Sequence, residues 1–166
     1  TWNGNGGTPS KSSSSFHYND ALGTLPTATR TGYTFKGWST SASGSVNVST
    51  TTKVTGNVTY YAVWQINSYT LTVTAGAGGT VSGSGTYNYG ATATLKATPS
   101  AGYRIVKWSD GNTNASRTVT VTGNATYTAT FEQDPYLNLD KTSLTFEAAG
   151  GTQTVKVTSN VNWTVS

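Results

Sequence analysis

The chain has 166 residues, room for one ordinary domain or two to three small ones, and carries a net charge of +4 with only 10% charged side chains. No cysteine is present, which excludes a disulfide framework, a zinc knuckle and a thiol nucleophile. The basic residues are scattered singly, which argues against nucleic acid as a partner, and no apolar run is long enough to cross a bilayer.

Low charge combined with five Trp, ten Tyr and four Phe argues for a folded, Thr-rich chain rather than a disordered tail. Small modules bury a low fraction of their surface, so each is expected to lean on a few large aromatics. In chain order, the first signal is the glycine turn Gly4-Asn5-Gly6-Gly7-Thr8. A short helical turn is expected at Asn19 to Gly23, where Asn19 or Asp20 would cap Ala21 and Leu22. Gly32-Tyr33-Thr34-Phe35-Lys36-Gly37-Trp38-Ser39 follows. Strict alternation on this strand would set Phe35 and Trp38 on opposite faces and Tyr33 beside Phe35. Val54-Thr55-Gly56-Asn57-Val58-Thr59-Tyr60 leads to Trp64.

The same three blocks then return in the same order. Tyr69 to Ala75 reads as a strand because Leu71 and Val73 alternate with Thr. Gly76-Ala77-Gly78-Gly79-Thr80 repeats the first turn, and Gly102-Tyr103-Arg104-Ile105-Val106-Lys107-Trp108-Ser109 repeats the Gly-Tyr…Trp block. Val121-Thr122-Gly123-Asn124-Ala125-Thr126-Tyr127 repeats the third block and ends at Phe131. Val119 and Val121 alternate with Thr, and Tyr127, Ala129 and Phe131 share one face with Thr on the other, where its branched Cβ suits the pleat. Ordered recurrence with small length changes means two copies of one unit.

Glu132-Gln133-Asp134-Pro135 is a polar joint, after which the pattern changes. Leu137 and Leu139, Ser143 to Glu147, Thr152 to Thr158 and Val161 to Val165 form a new strand pattern around Gly150-Gly151. The expected division is 1–65, 66–133 and 134–166, with both ends read as cut from a longer parent and any targeting segment lying outside the fragment.

Several residues invite a functional reading. Trp38 and Trp108, with Tyr33 and Tyr103 before them, suit either a sugar-stacking platform or a core anchor, and their recurrence favours the core. The same holds for Trp64 and Phe131. Trp163, flanked by Asn160 and Asn162, is also expected in a core. Asp110-Gly111-Asn112-Thr113-Asn114 resembles the start of a calcium loop. Ala115 and Val121 stand where an EF-hand needs Gly and Glu, so a turn is the better reading. The single histidine, His17, has no nucleophile elbow to serve, and Gly83-Ser84-Gly85 reads as a loop. The acids Asp20, Asp110, Glu132, Asp134, Asp140 and Glu147 do not recur in matched positions, unlike the paired carboxylates of a glycosidase. The Asn-x-Ser/Thr sites at Asn47, Asn57, Asn114, Asn124 and Asn162 follow from a composition rich in Asn and Thr.

The first copy resembles the internalin-B-type, or Listeria–Bacteroides, repeat through Asn5-Gly6-Gly7-Thr8-Pro9, Leu25-Pro26, Gly32 to Trp38 and Tyr60-Tyr61-Ala62-Val63-Trp64. The second resembles a divergent form of that repeat through Gly78-Gly79-Thr80-Val81, Leu95 to Pro99, Gly102-Tyr103, Trp108-Ser109 and Thr128 to Phe131. Residues 136–166 resemble part of a Bacteroidetes-associated carbohydrate-binding (BACON) domain through Leu144, Phe146, Gly150-Gly151-Thr152, Val155, Val157 and Asn160 to Ser166. The resemblance implies a mainly β chain: two tandem β-grasp-like repeats followed by part of an immunoglobulin-like sandwich. It also implies an extracellular or cell-surface bacterial setting and a stalk or adhesive role.

The expected function is therefore a non-catalytic stalk or spacer, with an adhesive module for glycan, mucin or a host surface protein as the alternative. No catalytic, metal or cofactor residue is assigned, and the ligand-binding residues are not specified by the sequence. Neither nucleic acid nor direct membrane insertion of this fragment is expected. The neighbouring domains of a longer chain are the expected partners.

Overall fold

The computed structural model describes residues 1–145, 148 and 150–164. Phe146, Glu147, Val165 and Ser166, which belong to the tail resemblance or to the inventory of acids, lie outside the described residues. Among the described residues the fold is β throughout, with fourteen strands in five small sheets.

In the first half, β1 (Trp2–Asn3), β4 (Tyr33–Ser39) and β5 (Tyr60–Ile66) form one sheet in the order β1-β5-β4. Between them, β2 (Thr8–Pro9) pairs with β3 (Ala28–Thr29). The second half contains β6 (Ser68–Ala75), β7 (Gly79–Ser82), β8 (Gly85–Asn88), β9 (Thr92–Pro99), β10 (Tyr103–Trp108), β11 (Ser116–Thr120) and β12 (Ala125–Gln133). They make two sheets, β10-β12-β6-β8 and β11-β9-β7. Finally β13 (Leu137–Leu139) pairs antiparallel with β14 (Val157–Ser159).

The two halves share one topology. β1 runs parallel to β5, with Trp2 opposite Tyr60, and β6 runs parallel to β12, with Val73 opposite Tyr127. In each, the last strand is flanked on its other side by the antiparallel strand carrying the Gly-Tyr…Trp block. The period-2 pattern works as expected: along β9, Ala93, Leu95 and Ala97 are buried and the intervening Thr and Lys side chains face water. Each half has its own buried cluster, one drawn from Trp2 to Ala62 and the other from Leu71 to Phe131.

Three local expectations are corrected. Phe35 and Trp38 do not lie on opposite faces, because the β4–β5 register shifts between Phe35 and Gly37. This bulge inserts one residue and restores both rings to the same side, where their centroids are 5.4 Å apart. The second copy has the same irregularity between Ile105 and Lys107.

Asn19 to Gly23 forms no helical turn. Asn19 sits at φ 65°, and the amides of Asn19, Leu22 and Gly23 donate to Val54, Thr52 and Thr50. The backbone donors a helix needs are thus spent on the carbonyls of the neighbouring 50–54 segment, while the Asp20 carboxylate accepts from the His17 amide.

Among the described residues of the tail, the one strand ladder joins Leu137–Leu139 to Val157–Ser159, and the other described stretches expected as strands form no ladder. A strand is held by its partner, and two strands alone provide little ladder.

Candidate functional site

Trp38 and Trp108 sit at the end of equivalent strands, and both are 0% exposed. A buried indole N–H needs an acceptor. Trp38 Nε1 donates to the Pro26 carbonyl at 2.8 Å and Trp108 Nε1 to the Asn114 carbonyl at 2.8 Å. Each ring therefore pins a loop across its own core, and neither presents a face to a ligand. Trp64 and Phe131 do the matching task at the glycine turn. Trp64 Nε1 donates to the Gly4 carbonyl at 2.9 Å, and a Cβ at Gly7 would run into its ring. A Cβ at Gly79 would overlap the Phe131 ring in the same way. The second glycine of each turn is small because an aromatic lies against it.

The tempting polar residues are occupied by the fold. Arg117 donates twice to Asp110, at 2.6 Å to each carboxylate oxygen, and its guanidinium lies 5.6 Å from the Tyr127 ring centre. That hydrogen bonding holds the Asp110 carboxyl below the usual carboxylate range. The Asp110 and Asn112 side chains also accept from the Asn112 and Asn114 amides, so the segment is a turn stitched to its own backbone.

Glu132 and Asp134 meet at Arg104, at 2.6 and 3.2 Å, so two carboxylates are brought together on the cation between them. His17 is fully exposed and contacts Asp20 at 3.3 Å. Asn47 bonds Thr40, and Asn124 accepts the Thr70 amide at 2.8 Å. Ser84 does not stand free in its loop. It clips the Val73 amide at 2.8 Å. Trp163, expected in a core, is 47% exposed: among the described residues no second sheet covers the β13–β14 pair.

Two concavities lie on the first copy. One, of about 850 Å³, lies over Gly6, Gly7 and Thr29, beside the Arg30 guanidinium stacked 3.8 Å from the Tyr33 ring centre. The other, of about 670 Å³, is lined by Trp2, Phe16, Tyr18 and Tyr60 together with the Ser13 and Ser15 side chains. Tyr18 is 79% exposed and Phe16 is 37% exposed at its rim. An exposed phenol ring beside hydroxyls is suited to stacking on the apolar face of a sugar. Sequence reasoning missed Phe16 and Tyr18. They stand in a Ser-rich run with no periodicity, and an aromatic that no strand face claims was the available signal.

Residues 1–63 match the Listeria-Bacteroides repeat domain, and residues 69–135 match the divergent InlB B-repeat domain. Residues 1–135 thus form a tandem of internalin-B-type repeats. No curated protein and no solved structure matches it. The two family matches carry the identification. Their shared Trp and Gly-Gly positions are the ones the structure uses for packing.

Proposed function

We propose that this chain is a non-catalytic, extracellular stalk region of a bacterial surface or secreted protein, holding other modules at a distance. The observation that carries the reading is the burial of Trp38 and Trp108 at matched places in two separate cores. The features that recur serve the scaffold of each repeat, which is what a repeated spacer requires. Repeats of the matched kind occur in surface and extracellular bacterial proteins, which supports the setting. The division at 1–65 and 66–133 fits the two clusters, and 134–166 is read as part of a BACON-like, immunoglobulin-like module. Small-angle scattering tests the stalk: an elongated particle is expected, and a compact profile contradicts it.

A second reading is favoured by one observation, the Trp2–Phe16–Tyr18 groove with its hydroxyl rim. Under it the first repeat is an adhesive module for a neutral glycan or a host surface glycoprotein. A glycan array comparing the protein with Tyr18→Ala and Phe16→Ala tests this, since neither side chain belongs to the buried cluster. Binding that both variants retain removes the groove from consideration.

A further inference from the structure

The two repeats are joined by one residue, Asn67, which lies between the end of β5 and the start of β6. Both of its backbone groups are used. Its N–H donates to the Gly32 carbonyl at 2.9 Å in the first repeat, and its carbonyl accepts from the Tyr89 N–H at 2.8 Å in the second. Its side-chain oxygen accepts from Thr34 Oγ1 at 2.6 Å. The Tyr89 ring lies against Gly32, so closely that a Cβ there would overlap it. Gly32 is at φ 79° in a turn closed by the Tyr33 amide on the Arg30 carbonyl. A linker whose backbone donor and acceptor are both committed has few conformations left.

The same arrangement returns at the end of the second repeat. Asp134 follows β12 as Asn67 follows β5, and its N–H donates to the Gly102 carbonyl at 2.8 Å. Arg104, the counterpart of Thr34, bonds the Asp134 side chain at 3.2 Å. The Asp134 carbonyl accepts from Asn160 Nδ2 of the following segment at 2.9 Å. Gly102 adopts the same backbone, at φ 74°, in a turn closed by the Tyr103 amide on Ser100. Among the described residues, however, no atom approaches within 4 Å of a Cβ built there.

We propose that the Gly-Tyr turn of each repeat is a socket for the module that follows, fixing the geometry between successive modules; this rests on the stalk reading. The occupant is the next module of the same chain. It reaches back with one hydrogen-bond donor to the carbonyl of the linker residue and, at the first joint, with an aromatic ring that covers the turn glycine. The first joint is the stiffer of the two. Its return contact is a backbone amide and a ring packed on the turn glycine, whereas the second relies on a single side-chain amide.

The chain has no cysteine, so paired spin labels can be placed without interference. Labels at Thr24→Cys and Thr113→Cys span the first joint, and labels at Thr113→Cys and Thr158→Cys span the second. The expected distance distribution is narrow for the first pair and wider for the second. Tyr89→Ala widens the first distribution to that of the second, and Thr34→Val widens it by less. Tyr89 is not packed on the second core, so this variant keeps its fold. A broad distribution in the unaltered protein, or one that neither variant changes, overturns the socket. Scattering on the same samples separates the two ideas. An elongated particle with broad distances defeats the socket alone, and a folded-back particle with narrow distances defeats the stalk alone.

Discussion

The two repeats arrive at one scaffold by different packing. In the first, β1 has two residues, and rings make up the interior: Trp2 packs on Trp38 and Tyr60 at 4.9 Å, while Phe35 bridges Trp38 and Trp64 at 5.4 and 5.5 Å. In the second, β6 has eight residues and is flanked by β8, and Trp108 shares its buried cluster with Leu71, Val73, Leu95 and Val121. Where the ladder is short, edge-on aromatic pairs supply the specificity that a longer ladder and aliphatic alternation supply elsewhere. A smaller substitution shows the same logic. The buried Ala62 carbonyl accepts from the Asn5 side chain at 3.0 Å, and the carbonyl of its counterpart, Ala129, accepts from the Gly76 backbone at 2.9 Å. What the two copies share is the need that must be met, and the group that meets it differs.

The comparison can be broken by substitution. Trp38→Ala and Trp108→Ala should each cost about 3–5 kcal/mol in urea denaturation. The Trp38 variant should lose more, by about 1–2 kcal/mol, because two edge-on partners are lost with it. An equal or larger loss at Trp108 would mean that the rings of the first repeat add nothing beyond their area. Gly7→Ala and Gly79→Ala should each cost about 1–3 kcal/mol through overlap with Trp64 and Phe131, read as a lowered melting temperature. Gly32→Ala and Gly102→Ala share a left-handed backbone cost of about 1–2 kcal/mol. Only Gly32→Ala adds overlap with Tyr89, and the gap between the two variants should close in a Tyr89→Ala background.

The smallest effect is expected at Asp110→Asn, below about 1 kcal/mol, since the pair with Arg117 is partly exposed and screened. The folded state favours the charged carboxylate. Its contribution is therefore full above the ordinary Asp value of about 3.9 and is lost as the pH falls through the lower folded value. Thermal melts of the protein and the variant should stay separated from neutral pH down to about 4 and converge below it.

Much of this was legible in the residues. The alternation in Leu71 to Ala75 and Tyr127 to Phe131, the paired Gly-Gly turns and the two Gly-Tyr…Trp blocks carry the strands, the turns and the anchors. The bulge in β4 was harder, because one inserted residue inverts every parity argument beyond it; Gly37 inside the strand was the cue. The second bulge, at Val106, has no such marker. The joint at Asn67 was hidden for a different reason. A single residue between two strands makes no change in composition, whereas Glu132 to Pro135 does. The exposure of Trp163 depends on what covers β13 and β14, which no local pattern in the chain specifies.

Hydrogen exchange followed by mass spectrometry on Trp108→Ala puts the independence of the two cores to the test. Protection should fall in the peptides of residues 66–133 and remain at the level of the unaltered protein in residues 1–65. Loss of protection spread evenly over both repeats would mean one shared core, and would contradict the reading of the chain as separate units held by their own tryptophans.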